Sequence, residues 1–386
     1  MARESHPDLV HFALAMGGFA IGTTEFAAMS LLPYFAQDLG INPPTAGHVI
    51  SAYALGVVLG APLIAVLAAR LARRTLLIGL MLVFAMANGL TGLSPSYHAM
   101  LLLRFISGLP HGAYFGVAML VAASLVPEEK RAQASARVLM GLTVATIIGV
   151  PCATWLGQAI GWRWGFGIVA ALSLLTATLV AMFAPHQAPA QGASPLTELG
   201  ALKNRDVLLT LGVGAVGFGG LFTVYTYLAN TLLSVTHVRE GVVPLVFALF
   251  GAGMMSGLMI VPPFAHGRLM RVAGWILAWF AVTLALYTLA VGNLWTITLS
   301  VFAIGLGGSL GPILQTRLMD VAGKAQTLAA ALNHSAFNVA NALGPFLGGL
   351  AIAHGYGLPS TGVVGSGLAL LGLAIWAVAL KVSDQR

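Results

Sequence analysis

The chain has 386 residues, of which 58% are apolar and only 8% are charged, against roughly 25% charged residues in ordinary soluble proteins. So few charges cannot cover the surface of a soluble domain, which excludes a cytosolic enzyme, a disordered protein and a nucleic-acid-binding protein. The net charge of +7 is spread thinly along the chain, without a basic block. The single Cys152 excludes an intrachain disulfide and a cysteine-based metal site.

Long runs without Asp, Glu, Lys or Arg determine the predicted architecture. A membrane-spanning helix needs about 20 mostly apolar residues, and transmembrane β-strands would alternate, which these runs do not. The sequence therefore predicts an all-α membrane protein with twelve transmembrane helices. We place them near 10–35, 45–69, 74–94, 97–126, 132–159, 163–184, 207–233, 242–265, 270–291, 294–318, 325–354 and 359–381.

The basic residues predict the orientation of these helices. Fifteen of the 18 Lys and Arg residues fall in alternate loops and in the two terminal segments. Cytoplasmic segments of membrane proteins carry an excess of Lys and Arg. We therefore expect both termini of this multi-pass protein of the lipid bilayer to be cytoplasmic.

The segment 185–206 is the longest polar stretch and is rich in Pro, Ala and Gln, which predicts a cytoplasmic linker. It separates an N-terminal six-helix bundle, residues 1–184, from a C-terminal one, residues 207–386. Two short motifs recur in both halves. Arg-Leu-Ala-Arg at 70–73 corresponds to Arg-Leu-Met-Arg at 268–271. Gly149 and Pro151 correspond to Gly344 and Pro345. Related halves that rock about a central site are typical of transporters, and the two prolines are candidate pivots.

Several motifs narrow this interpretation. Helix one contains Gly-Thr-Thr-Glu-Phe at 22–26, helix four contains Arg-Phe-Ile-Ser-Gly-Leu-Pro-His-Gly at 104–112, and helix five contains Gly-Val-Pro at 149–151. With the twelve helices and the basic loops, the chain resembles the major facilitator superfamily, specifically the twelve-helix drug:proton antiporter branch of arabinose, sugar, purine-ribonucleoside and chloramphenicol-type efflux proteins. The resemblance covers essentially the whole chain and implies the two-bundle fold of that family and a location in the bacterial inner membrane.

The loop between helices two and three departs from the family pattern. The family usually has an aspartate before the basic residues, whereas this chain has Ala69 followed by Arg70, Arg73 and Arg74. The three arginines remain candidates for a gating motif. The usual lock centred on aspartate is absent or is built differently here.

Glu25 is the only one of eleven acidic residues that lies well within a predicted span. An ionised carboxylate there costs several kcal/mol unless it is paired or hydrated, and binding a proton removes that cost. Glu25 is therefore the candidate proton carrier. The alternative is a structural glutamate that holds neighbouring helices by hydrogen bonds.

Arg104 is the only basic residue within a predicted span. At about 1.5 Å per residue it lies roughly 10 Å below the outer surface, and Glu25 lies roughly 15 Å below it, so the two can meet directly or through water. His111 is seven residues further along the same face and is suited to a proton relay. The alternatives are an arginine bonded to backbone carbonyls and a neutral, hydrogen-bonded histidine.

Other polar and aromatic residues are candidates for binding a substrate. His334, Asn338 and Asn341 form a stripe on helix eleven that either lines a cavity or bonds another helix. In the resembling family helices one, four, seven and ten face the central cavity, which favours the candidates on helix seven. The substrate-binding candidates are Thr24, Tyr53, Phe222, Tyr225, Tyr227, Asn230, His334 and Asn338.

No phosphate-binding loop, metal-ligand cluster or catalytic constellation is apparent in the sequence. We therefore expect no cofactor and no enzymatic activity, and a monomer that uses a proton gradient to export a small molecule by alternating access. The direction of transport is implied by the family resemblance. The alternatives are a facilitator or proton-symport importer of the same fold, and, from another class, a membrane sensor or a membrane enzyme.

Overall fold

The computed structural model describes residues 7–67, 71–127, 130–186, 204–265, 267–322 and 326–384, and this part of the chain is helical and contains no strand. Twelve of its helices are long and apolar enough to cross a membrane, which confirms the predicted all-α architecture. They are α1 (Pro7–Ser30), α2 (Pro43–Leu67), α3 (Arg73–Gly92), α4 (Tyr97–Ser124), α5 (Gln133–Ile160), α6 (Trp162–Phe183), α7 (Arg205–Ser234), α8 (Val243–Ile260), α9 (Leu269–Ala290), α10 (Leu294–Val321), α11 (Gln326–Ala351) and α12 (Ser360–Asp384).

Two helices end about five residues earlier than the sequence predicts. The first ends at Ser30 rather than near 35, and a separate short helix, Leu32–Asp38, follows. The eighth ends at Ile260 rather than near 265, before the short helix Pro262–Ala265. Prolines explain both breaks, because a proline has no backbone N–H for the helical ladder and is favoured in the first turn of a new helix.

Helix α5 contains an irregular turn at the predicted pivot. Residues Ala145–Gly149 form a π-helical turn, and Pro151 lies in the first turn of the α-helical part that follows. Because Pro151 cannot donate to the carbonyl four residues earlier, the ladder widens locally. Pro345 lies inside α11, which continues as an α-helix past Gly344 and Pro345 to Ala351.

Two apolar cores hold the helices together. One lies within α1–α6 and includes Phe84, Phe115 and Val169. The larger core joins the two halves, since it contains Phe26 of α1 together with Phe222 of α7. Lipid tails are as apolar as these side chains, so close packing rather than the exclusion of water stabilises this contact. Most of the predicted linker, 187–203, lies outside the described residues, and the domain boundaries stay a prediction.

Two hydrogen bonds join the halves toward the end of the bundle that the sequence predicts to face outward. The Ser51 hydroxyl on α2 donates to the carbonyl of Ala342 on α11 at 2.8 Å. The Gln158 amide on α5 donates to the carbonyl of Glu240, just before α8, also at 2.8 Å. In both bonds the acceptor is a backbone oxygen.

A polar cluster fixes the start of α6 against the short helix that follows α1. The Arg163 guanidinium forms an ion pair with Asp38, and the Trp162 indole N–H donates to the same carboxylate at 3.1 Å. The hydrogen bonds from Arg163 and Trp162 lower the pKa of Asp38 below its ordinary value. The stabilisation from this carboxylate is therefore present at neutral pH and is lost as the pH falls through the lowered pKa.

We expect Asp38→Asn to lower the free energy of unfolding at pH 7 by about 0.5 kcal/mol, a modest amount because exposed ion pairs contribute little. Thermal unfolding of the purified protein between pH 7 and pH 3 measures this, and the difference from the wild type should shrink as the pH falls. Asp8→Asn is the matched control, since Asp8 is 91% exposed in its pair with Arg137. Equal losses in both variants would contradict the prediction.

Candidate functional site

Glu25 is buried on α1 and forms a bond to the other half of the protein. Its side chain is 5% exposed, and its Oε1 accepts a hydrogen bond from the Asn341 amide on α11 at 3.0 Å. The second amide atom of Asn341, Oδ1, is buried without a hydrogen-bond partner among the described residues. The bond joins the candidate proton carrier to the predicted stripe on α11, so Glu25 lies at the contact between the halves.

Arg104 is fully buried on α4, in a polar network within the first half. Its Nη1 donates to the Thr24 hydroxyl at 3.0 Å, and that hydroxyl donates to the Asn88 side chain on α3 at 2.6 Å. The guanidinium also lies 4.2 Å from the centre of the Tyr53 ring, within the range of a cation–π interaction. Helices α1 and α2 therefore contact this cation directly, and α3 supports it through Thr24.

The structure gives Glu25 and Arg104 different partners. No ion pair joins them within the described residues, because Arg104 bonds the neighbouring Thr24 instead. Two donors of Arg104, Nε and Nη2, are buried and have no hydrogen-bond partner in the described part of the chain. An unmade hydrogen bond of a buried charged group is costly.

His111 extends the network from Arg104 toward the second half. Its Nδ1 lies 3.0 Å from the Tyr53 hydroxyl, so Tyr53 contacts both predicted residues of α4. The His111 ring is 5.4 Å from the ring of Phe115, which stacks on His334 of α11 at the same separation. The candidate relay residue and the stripe on α11 are thus linked through one aromatic ring.

Asn338 lies one helical turn beyond His334. Its amide donates to the backbone carbonyl of His334 at 2.9 Å, while its Oδ1 is buried and has no partner among the described residues. With the bond from Asn341 to Glu25, the stripe therefore contacts the first half and also presents unbonded acceptors there. The bond from Asn341 to Glu25 agrees with the interpretation that the stripe bonds another helix, and the interpretation that it lines a cavity stays a prediction.

The candidates on α7 divide into two groups. Phe222 stacks with Phe26 of α1 at a ring separation of 6.2 Å, and Tyr225 meets the same ring edge-on at 5.4 Å. The Tyr225 hydroxyl and the Asn230 Oδ1 are buried without hydrogen-bond partners in the described part. Tyr227 lies apart, because its hydroxyl donates to the carbonyl of Pro345 at 2.8 Å.

The described candidate gating residues, Arg73 and Arg74, lie at the opposite end of the bundle from the two bonds near the predicted outer side. Arg70 lies outside the described residues. Arg73 begins α3, and Arg74 Nη1 lies 3.2 Å from His186 Nδ1, beyond the end of α6. Arg74 also donates to the backbone carbonyl of Ala181 in α6. This arginine therefore binds within its own half.

The sequence did not indicate three residues that complete the site. Asn88 fixes Thr24, Phe26 contacts α7, and Phe115 separates His111 from His334. A lone asparagine inside the apolar run of α3 is a signal that could have identified Asn88, since such amides seek partners in a membrane. The two phenylalanines carry no comparable signal.

The family model for the Major Facilitator Superfamily matches residues 14–273 of this chain. The chain belongs to the major facilitator superfamily. It is 40% identical over 366 residues to the inner membrane transport protein YdhP of Escherichia coli, with 93% of each chain covered. It is 35% identical over 352 residues to a chloramphenicol resistance protein of Streptomyces lividans, with 89% of each chain covered.

The solved structure of the nucleoside transporter NupG shares this major facilitator fold, with a TM-score of 0.77 at 13% identity and with 96% of this chain and 99% of that one covered. The chain is therefore a major facilitator transporter of a bacterial inner membrane, which it crosses several times, and not an enzyme. Its substrate is a small molecule, and its surroundings are the membrane.

Proposed function

We propose that this transporter exports a small molecule in exchange for protons by alternating access, with Glu25 as the proton carrier. The observation that carries the proposal is the hydrogen bond from Asn341 to Glu25, which places a buried carboxyl group at the contact between the halves. A group at this position can sense whether the halves are together or apart. A proton gradient is then the energy source, without a cofactor.

The energetics favour exchange of a proton at Glu25. Burying an ionised carboxylate in a membrane costs several kcal/mol, whereas one hydrogen bond to a charged group returns about 1.5–3 kcal/mol. The single bond from Asn341 therefore offsets only part of the cost. Glu25 binds a proton while the site is sealed, and it releases the proton when water or a polar substrate reaches it.

The loss of that proton changes the contact between the halves. An ionised Glu25 holds Asn341 more strongly than a neutral one, because hydrogen bonds to charged acceptors are stronger. A substrate that donates a hydrogen bond to Glu25 competes with Asn341 and so frees α11 from α1. The proton and the substrate thus compete for the same carboxyl group, as antiport requires.

The surroundings of Glu25 favour a substrate with an aromatic or apolar body and several hydrogen-bonding groups. Phe26, Phe222 and Tyr225 supply aromatic surface, and unbonded polar atoms lie on Tyr225, Asn230 and Asn338. Arg104 adds two donors. Amphenicol-like drugs, sugars and nucleosides fit this chemistry, and the similar protein of S. lividans is named for chloramphenicol resistance.

Transport into inside-out vesicles tests the proposal. A thermal-shift screen of the purified protein against chloramphenicol, pentoses and purine nucleosides first selects the probe. We expect respiring vesicles to accumulate the labelled probe and to lose it when an uncoupler is added, because only the proton gradient drives accumulation. Vesicles without the protein are the control. Uptake that persists with the uncoupler would show a facilitator, and net movement outward from the vesicles would show an importer.

A further inference from the structure

A groove on the outside of the C-terminal half lies away from the site between the halves. It has a volume of about 610 Å³ and is bounded by the end of α8, the first half of α9 and the middle of α10. Its walls are mainly apolar and include Ile260, Phe264 and Trp275. The Trp279 indole donates to the carbonyl of Ala303 at 2.7 Å, which fixes α9 against α10 at the inner end of the groove.

The length of the groove matches one leaflet of a bilayer. It extends along α9 from Arg268, at the start of the helix, to Trp279. At about 1.5 Å per residue these eleven steps span roughly 16 Å, close to half of the ~30 Å hydrocarbon core. An acyl chain that lies beside Trp275 and Trp279 would therefore reach about the middle of the membrane.

Two arginines mark the polar end of the groove. Arg268 and Arg271 both line it and are exposed, and neither has an ion pair or a side-chain hydrogen bond among the described residues. The sequence has no Asp or Glu between Glu240 and Asp320, and Asp320, near the end of α10, forms no ion pair with either arginine in the described part of the chain. The groove thus has two arginines at one end and mainly apolar walls along the rest of its length.

We propose that this groove binds an anionic diacyl phospholipid of the surrounding membrane, with its phosphate on Arg268 and Arg271 and an acyl chain along α9. Arginine binds phosphate oxygens through paired N–H donors, and basic pockets between transmembrane helices on the cytoplasmic side bind anionic head groups. The predicted orientation places these arginines at the cytoplasmic surface. The lipid is therefore one of the inner leaflet.

Charge complementarity favours this occupant over an apolar one. A transmembrane helix of another protein, or of a second copy, would cover Trp275 and Phe264 but would leave the two guanidinium groups without counter-charges. A zwitterionic lipid would bring its own cation next to them. An anionic lipid supplies a negative charge for the two arginines and an acyl chain for the apolar walls.

Native mass spectrometry of the purified full-length protein in detergent tests the site, with added phosphatidylglycerol and phosphatidylcholine as probes. We expect the wild type to retain phosphatidylglycerol in preference to phosphatidylcholine. The double variant Arg268→Gln and Arg271→Gln should bind phosphatidylglycerol about 30-fold more weakly, since each basic residue near an anionic surface contributes roughly a factor of five. The matched control is Lys130→Gln with Arg131→Gln, two exposed basic residues at the start of another helix.

A second variant tests the apolar part of the groove separately. Trp275 is 74% exposed, so Trp275→Ala should leave the fold intact. We expect it to weaken the binding of both lipids while the preference for phosphatidylglycerol remains. Equal retention of the two lipids by the wild type would overturn the proposal. An equal loss in the control double variant, or a dimer that excludes lipid from the groove, would overturn it as well.

Discussion

Replacing Glu25 by glutamine is expected to abolish proton-driven accumulation of the substrate while leaving the fold intact. A gradient of about 100 mV supplies about 2.3 kcal/mol per transferred charge, which corresponds to roughly a 50-fold accumulation. Glutamine cannot carry the proton, so the ratio of internal to external probe in inside-out vesicles should fall to about one. The glutamine oxygen can still accept the bond from Asn341, which is why the fold should remain intact.

The control for this variant is Glu240→Gln. Glu240 is exposed in the loop before α8, and only its backbone carbonyl takes part in a described hydrogen bond. It should accumulate the probe as the wild type does. If Glu25→Gln retains accumulation that collapses with an uncoupler, Glu25 is a structural residue and another group carries the proton.

Introducing a side chain at Gly108 is expected to cause a large loss of stability. A Cβ atom there would lie 2.1 Å from the backbone oxygen of Tyr53, and one at Gly56 would lie 2.1 Å from that of Phe105. Backbone atoms cannot move aside as a flexible side chain does, so α2 and α4 would have to separate. We expect Gly108→Ala to cost about 3 kcal/mol, the upper part of the usual range for overpacking.

The same helix supplies the matched control. Gly116 has open space where its Cβ would lie, with no atom within 4 Å. Gly116→Ala should therefore be neutral or stabilise α4 by up to about 1 kcal/mol, the difference in helix propensity between the two residues. Thermal unfolding of both variants in detergent measures the contrast. Equal stability of the two would show that α2 and α4 do not pack this closely in the membrane.

The positions of the membrane helices could be predicted from the sequence because a bilayer imposes a minimum length on every apolar span. The twelve predicted spans correspond to α1–α12. The breaks after Ser30 and Ile260 could not be predicted from hydropathy, because the apolar composition continues across them. The prolines at 33, 262 and 263 hold that information locally and could have been used.

The sequence predicted which residues belong to the candidate site but not which of them contact one another. Rarity within an apolar span identified Glu25, and arithmetic along the helix axes placed Arg104 at a similar depth. Rotation about the axis was unknown, and neighbouring residues on a helix point about 100° apart. Arg104 therefore meets Thr24, and Glu25 meets Asn341 from a helix 316 residues further along the chain. Such pairing depends on how two whole bundles approach each other.

The two hydrogen bonds near the predicted outer side determine which substitutions can weaken the contact between the halves there. Their acceptors are main-chain oxygens at positions 342 and 240, and these remain after any substitution that keeps the local backbone. Only the donors, Ser51 and Gln158, can be removed by a single mutation. A third donor, the Asn341 side chain, binds Glu25 from the other half, so three side-chain donors set how strongly the halves hold together. Variants selected for altered gating should therefore accumulate at these donors rather than at positions 342 and 240.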